Sequence, residues 1–177
     1  MEERRGPSSV VFQGRVLSVR VDPVTANGGA STREVVERPH AAAVVAERDD
    51  GRLVIVRQFR WAVSAYLDEL PAGLIDAGED PLTAAQRELA EETGFRAQRW
   101  APLFEYYASP GYSTERIALF SASGLSLGTR DLDPDEDIAV TAWTRDEAAA
   151  YLAQGRIQNG ILLIGVLWWL YGRRPQV

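Results

Sequence analysis

Gly73-Leu-Ile-Asp-Ala-Gly-Glu79-Asp-Pro-Leu-Thr-Ala-Ala-Gln-Arg87-Glu88-Leu-Ala-Glu91-Glu92-Thr-Gly94-Phe95 is the stretch on which the reading of this chain turns. Its boundaries are marked by residue type. Asp80 is an N-cap residue, Pro81 suits the first helical position and Gly94 supplies a C-terminal stop, so a helix is expected over Pro81–Thr93. Leu82, Ala85 and Leu89 recur at spacings of three and four and form the stripe that faces a core. Glu88, Glu91 and Glu92 lie off that stripe, and because residues three and four apart are neighbours on a helix, their carboxylates share one patch. Like charges at this spacing cost about 0.2–0.5 kcal/mol per pair on an isolated helix, so the patch calls for a cation. Arg87 can relieve one carboxylate, not three. A hard divalent cation such as Mg2+ prefers carboxylate oxygen and keeps positions open for water and phosphate, which makes a metal-bound diphosphate the natural guest.

The rest of the chain narrows the chemistry. At 177 residues it is the length of one ordinary domain, able to bury a core without disulfides. With no cysteine and one histidine, His40, thiol catalysis, cysteine zinc sites and poly-histidine metal sites are excluded, so any metal must be held by oxygen. A net charge of −6 and the lack of a basic stripe argue against nucleic acid as partner. The N-terminal residues show no apolar stretch of the kind a signal peptide carries, and the apolar run Gly160 to Gly172 is too short for the roughly 20 residues that span a bilayer. We therefore expect a cytoplasmic protein without a membrane partner.

Around the helix the pattern is one of strands. Val10 to Val21 and Arg33 to Arg38 are rich in β-branched residues and flank the turn-prone Asn27-Gly28-Gly29. Ala41 to Glu47 and Arg52 to Phe59 flank an Asp50-Gly51 pair, and are expected to form a central hairpin. Leu103 to Ala108, Glu115 to Ala122 and Ile138 to Trp143 are further strands. Thr144-Arg-Asp-Glu147 has the form of a capping box for a helix ending at Gly155, and the apolar run from Ile161 is a third, buried helix. His40 opens an apolar strand and is read as structural. The whole is an α+β chain in one domain, residues 1–40 contributing N-terminal strands and residues 41–177 the remainder.

Gly73, five residues, Glu79, seven residues, then Arg87-Glu88-Leu-Ala-Glu91-Glu92-Thr-Gly94-Phe95 resembles the Nudix box at every fixed position. Chance produces such a match on the order of once in 10⁸ to 10⁹ starts. The resemblance implies the Nudix fold, a mixed β-sheet sandwiched between helices, here with extra N-terminal strands, and Mg2+-dependent (possible also with Mn2+) hydrolysis of a nucleoside diphosphate linked to another group. It implies that Glu88 and Glu92 are the principal metal ligands, with Glu91 close by and the Ala72 carbonyl as a further oxygen ligand. Glu79 would support the metal shell and Arg87 would orient the helix carboxylates.

The flanks resemble the ADP-ribose pyrophosphatase branch. Val56-Arg57-Gln58-Phe59-Arg60 and Glu69-Leu70-Pro71-Ala72-Gly73 are similar to that branch's approach to the box, which implies that Arg57, Arg60 and Glu69 bind substrate, Arg60 at the diphosphate or terminal ribose. A guanidinium suits that role because it presents a rigid fork of donors. Pro110, fifteen residues beyond Phe95, and Gly111 stand about where the branch carries its marker proline, and Glu115 resembles a ribose-contacting position. Tyr112 points instead toward dinucleoside polyphosphate hydrolases of the same superfamily. Asp131 to Ile138 is an acidic loop of the kind that delivers Glu136 as a metal ligand or as the base for the attacking water, with Asp133, Asp135 and Asp137 as rivals. Arg33 matches a base-contacting arginine, while Arg15 stands where an aromatic would stack. The resemblance thus implies a homodimer that cleaves ADP-ribose, or a related ADP-sugar, to AMP and ribose 5-phosphate. GDP-mannose, NADH or a dinucleoside polyphosphate as substrate, and a non-catalytic nucleotide-sensing module, are the alternatives.

Overall fold

A strand with no polar position needs cover on both faces, and Ala41–Ala46 is such a strand: all six residues are buried. In the computed structural model, which describes residues 4–132 and 137–172, this strand, β5, lies at the centre of the larger of two compact units. That unit comprises Ala41–Glu105 and the described residues from Ala118 onward; the other comprises the residues up to His40 together with Tyr106–Ile117.

In the larger unit β5 belongs to a four-stranded sheet of order β8-β5-β10-β9, with β8 at Ala72–Leu74, β9 at Phe95–Tyr107 and β10 at Arg116–Leu127. A three-stranded antiparallel sheet places β6 (Leu53–Arg60) between β7 (Ala65–Glu69) and β11 (Ile138–Trp143). The helix α1 (Pro81–Thr93) covers one side of β5, where its Ala84, Ala85 and Leu89 pack with Ala42, Val44 and Ala46. The intervening Val45 meets α3 (Gly160–Tyr171) instead. A Cβ at Gly165 would run into Leu70 and lie 3.2 Å from Val45 Cγ2, so α3 comes this close because that position has no side chain. Thus successive residues of one strand serve two helices, as the alternation of a strand dictates.

The expected hairpin is a correction. Asp50-Gly51 does make the turn, with Gly51 at φ +77° and its N–H donating to the Arg48 carbonyl at 2.9 Å. Beyond the bridge from Glu47 to Leu53, however, β5 and β6 enter different sheets. Both strands are fully buried over their first four residues, and two strands that each need two covered faces cannot remain a free-standing pair. The helical expectations hold: α1 has the predicted bounds, and Thr144 and Glu147 form the capping box of α2 (Arg145–Ala153).

In the smaller unit the β-branched stretch from Val10 to Val21 falls in two strands, β2 (Ser9–Gln13) and β3 (Ser18–Ala26). The short β1 (Arg4–Arg5) and β2 pair with successive parts of one edge of β3, and β4 (Gly29–Glu37) takes the other. Asn27 (φ +51°) and Gly28 (φ +80°) join β3 to β4 with both central residues left-handed, the geometry that matches strand twist in a two-residue hairpin.

Candidate active site

The carboxylates of α1 are organised by Arg87. Its Nε and Nη2 donate to the two oxygens of Glu79, each at 3.0 Å, so a planar fork grips a carboxylate eight residues away. The same Nη2 donates to the Leu74 carbonyl at 2.9 Å, and Nη1 to Glu88 at 2.7 Å and Glu91 at 3.0 Å. The loop between β8 and α1 is thereby tied to the helix through one side chain. Glu79 accepts a further bond from the Asp76 N–H at 3.0 Å. Arg87 is the main cause of the Glu79 carboxyl being held below its ordinary range, with the Asp76 N–H next. Reciprocally, the bond to Glu79 is the first reason that the Arg87 guanidinium holds its proton more tightly than usual.

Glu92 is 3% exposed, and its Oε2 accepts from the Ala72 N–H at 3.0 Å. Glu88 lies against Gly73: a Cβ there would coincide with the Glu88 carboxyl group. Ala72, Gly73, Glu88 and Glu92 therefore meet at one place, reached by one strand and one helix. Glu91 is more open, its side chain 39% exposed against 12% for Glu88. Arg87 bonds to two of the three carboxylates of this patch, Glu88 and Glu91, and not to one as the sequence suggests.

This donor set suits a hard divalent cation. It is all oxygen; Glu79, Glu88 and Glu91 share a single guanidinium, and Gly73 leaves the Glu88 carboxylate the space it occupies. Among the described residues no three acidic or histidine side chains form a ready metal cage. The observed bonds say why: Arg87 draws on Glu88 and Glu91, while Glu92 is engaged with the backbone. Glu136, with Asp133 and Asp135, lies outside the described residues.

Of the flanking residues, Arg60 forks onto Glu69, with Nε to Oε1 at 2.8 Å and Nη2 to Oε2 at 2.5 Å, and Glu69 is 3% exposed. Two residues separately expected at substrate are thus each other's partner, across the β6–β7 hairpin. Arg57 lies 3.4 Å from Asp68 and beside the Tyr66 ring, lining a cavity of about 160 Å³ with Arg156 and Gln158.

The smaller unit gathers Arg33, Pro110 and Gly111 around a cavity of about 620 Å³, together with Tyr107, Tyr112 and Arg116. Strand β4 holds the Pro110 turn through the Val36 N–H to the Tyr112 carbonyl (2.7 Å) and the Thr114 N–H to the Val36 carbonyl (3.0 Å). Glu115, by contrast, pairs with Arg38 at 3.4 Å. Burial first, and then the Glu115 carboxylate, push the Tyr106 phenol up to about 12. Tyr107 and Arg116 were not singled out from sequence, where a tyrosine on a strand and an arginine after Glu115 carry no distinguishing pattern. His40 accepts the Arg116 N–H at Nδ1 (3.2 Å) and lines the same cavity.

A helix that presents a glutamate patch behind a glycine-marked loop, braced by one arginine, is the site of a metal-assisted diphosphate hydrolase family. This chain belongs to the Nudix family: the NUDIX domain matches residues 37–161. It is similar to the methanol dehydrogenase activator of Bacillus methanolicus, 38% identical over 168 residues, covering 93% of this chain and 91% of that protein. It is likewise 38% identical over 151 residues to the ADP-ribose pyrophosphatase of Bacillus subtilis (strain 168), covering 84% of this chain and 82% of the relative. The crystal structure of an ADP compounds hydrolase superposes with a TM-score of 0.84 at 25% identity, covering 97% of this chain and 96% of the other.

Proposed function

We propose that this protein hydrolyses the diphosphate of ADP-ribose, or a closely related ADP-sugar, to AMP and ribose 5-phosphate in the presence of Mg2+. The observation that carries the reading is the meeting of Glu88, Glu92 and the Ala72–Gly73 backbone at one place beside the Arg87 fork. Similarity to an ADP-ribose pyrophosphatase and to an ADP compounds hydrolase supports the choice of substrate.

In this reading Glu88 and Glu92, with the Ala72 carbonyl, hold the cation, and Glu91 contributes from the open side. Bound there, Mg2+ (or Mn2+) supplies charge neutralisation for the diphosphate and acidifies a water. Arg87 keeps Glu88 and Glu91 aimed by holding them against Glu79 and the Leu74 carbonyl. Glu136 is the residue assigned to take the proton of the attacking water or to complete the metal shell. Arg60, fixed on Glu69, is assigned to the diphosphate or the terminal ribose, and Arg57 stands on the same strand. Arg33, Pro110 and Gly111 line one cavity with aromatic side chains, a setting suited to the nucleoside, and Glu115 is assigned to the ribose.

A second copy of the chain is part of the proposal. Val10, Val11 and Phe12 on β2 are each more than half exposed, an apolar row that a partner's N-terminal strands would cover. Among the described residues no helix is long and apolar enough to cross a membrane, and the cysteine-free chain fits a reducing cytoplasm.

The test is a matched panel of kcat/KM for ADP-ribose, ADP-glucose, GDP-mannose, NADH and a diadenosine polyphosphate at fixed Mg2+. ADP-ribose should lead by at least about tenfold, equivalent to about 1.4 kcal/mol of transition-state preference. A lead by GDP-mannose or the polyphosphate would displace the ADP-sugar reading, and no cleavage at all would favour a nucleotide-sensing module.

A further inference from the structure

The last carbonyls of a helix have no donor within the helix, and in α1 one of these belongs to Glu92. The structure supplies that donor from outside. Arg130 Nε donates to the Glu92 carbonyl at 2.6 Å, and Arg130 Nη2 donates to the Ile138 carbonyl at 2.5 Å. Ile138 is the first residue of β11 and pairs with Gln58 of β6, the strand that also bears Arg57 and Arg60. The approach of Arg130 is itself fixed: the Gly128 N–H donates to the Gly94 carbonyl at 2.7 Å, and Gly94, at φ +75°, has the Gly128 oxygen 3.2 Å from where a Cβ would stand. A side chain at that position would crowd the segment that carries Arg130.

We infer that Arg130 is a positioning residue for the metal site, setting the place of Glu92 by holding its backbone to the start of β11. The inference rests on the proposed role of Glu92 as a ligand. The Glu92 side chain is buried and held at its tip by the Ala72 N–H, and its carboxylate is therefore located by two anchors, one at each end of the residue. Removing the Arg130 anchor frees the last turn of α1 while leaving the Ala72 bond to follow it. A cation at a helix C-terminus also suits the helix dipole. The planar guanidinium serves two carbonyls from different elements with donors on separate nitrogens in a fixed fork, an arrangement that a lysine ammonium, whose donors share one atom, does not reproduce.

The test is Mn2+ binding to the substrate-free protein, read by the electron paramagnetic resonance signal of free Mn2+, alongside kcat and KM for ADP-ribose. Arg130→Met should weaken Mn2+ binding by about 10–100-fold, the usual effect of losing a support behind a ligand. kcat at a fixed Mn2+ concentration near the wild-type Kd should fall in step, while KM for ADP-ribose at saturating metal moves by less than about threefold. Arg130→Lys, which keeps the charge and loses the planar fork, should fall between and carries the test if the Met protein does not fold. Arg145→Met is the control, because Arg145 makes the same kind of bond to the Trp169 carbonyl near the end of α3, at 2.9 Å, away from α1. Its Mn2+ affinity should match the wild type. Wild-type Mn2+ affinity in Arg130→Met, or equal loss in Arg145→Met, would overturn the inference. Tight Mn2+ binding by a wild-type protein that leaves ADP-ribose intact would instead remove the proposed substrate and leave the role of Arg130 standing.

Discussion

Replacing Gly73 by alanine separates the candidate site from the fold that carries it. The added Cβ would coincide with the Glu88 carboxyl group, so one of the two must give way. Gly73 is paired with Ala42 within β8 and has ordinary strand geometry, so alanine is compatible with its backbone. The clash falls on the far end of a flexible side chain, and Glu88 can leave by changing rotamer. Fixing the backbone gains about 0.4–1 kcal/mol, while loss of the Arg87–Glu88 bond costs about 0.5–1.5 kcal/mol. Those effects nearly cancel, leaving stability within about 1 kcal/mol of wild type, or about 2–4 °C in Tm for a chain of this length. Catalysis has no such compensation: a reacting geometry displaced by about 1 Å loses about 10²-fold in rate. Differential scanning calorimetry and kcat/KM for ADP-ribose measure the two effects independently. A Gly73→Ala protein that melts normally and retains kcat/KM within about threefold of wild type would refute the placement of Glu88 at the metal.

Three further outcomes follow from the same geometry. Glu79 is held below its ordinary 4.5, so its contribution to stability is fully present above that value and is lost as pH falls through the lower folded value; Glu79→Gln should flatten the acid limb of urea midpoints measured from pH 7 downward, and identical slopes would contradict the Arg87 fork. Tyr106 is raised from 10.0 to about 12, so the folded protein keeps a proton that the unfolded chain releases, and stability falls as pH rises through that interval. Alkaline absorbance titration should show a late phenol that Tyr106→Phe abolishes, and an unchanged titration would count against the buried placement. Leu89 is fully buried between α1 and β5, and Leu89→Ala should cost about 2–5 kcal/mol by thermal or urea unfolding; a cost below about 1 kcal/mol would contradict that packing.

What could be read from sequence was what local chemistry writes locally. Asp80, Pro81 and Gly94 delimit α1 because caps act within a turn, and Thr144 with Glu147 does the same for α2. The glutamate patch was legible because helical spacing puts its members together without help from the rest of the fold. The divergence of β5 and β6 was not, because an Asp-Gly turn fixes the reversal and leaves open whether the strands that follow stay paired. β7 and β8 were missed because five and three residues are too few to show a period, and Pro71 interrupts them. β9 was read as starting at Leu103, since Arg96, Gln98 and Arg99 look like loop residues until the strand exposes them on its outer side. Nothing in the order of the residues could announce that Arg60 would find Glu69, nine positions away across a hairpin, or that Arg130 would reach the carbonyls of Glu92 and Ile138. Such partners are made by tertiary placement.

In the proposed reaction a metal held by Glu88 and Glu92 assists cleavage of the diphosphate of ADP-ribose. The direct measurement is to incubate the purified protein with ADP-ribose, with Mg2+ or with EDTA, and to separate the products by ion-exchange chromatography. AMP and ribose 5-phosphate should appear in equal amounts with Mg2+, be absent with EDTA, and return when Mg2+ is restored. Undiminished cleavage in EDTA, or intact ADP-ribose at every Mg2+ concentration, would contradict the proposed reaction.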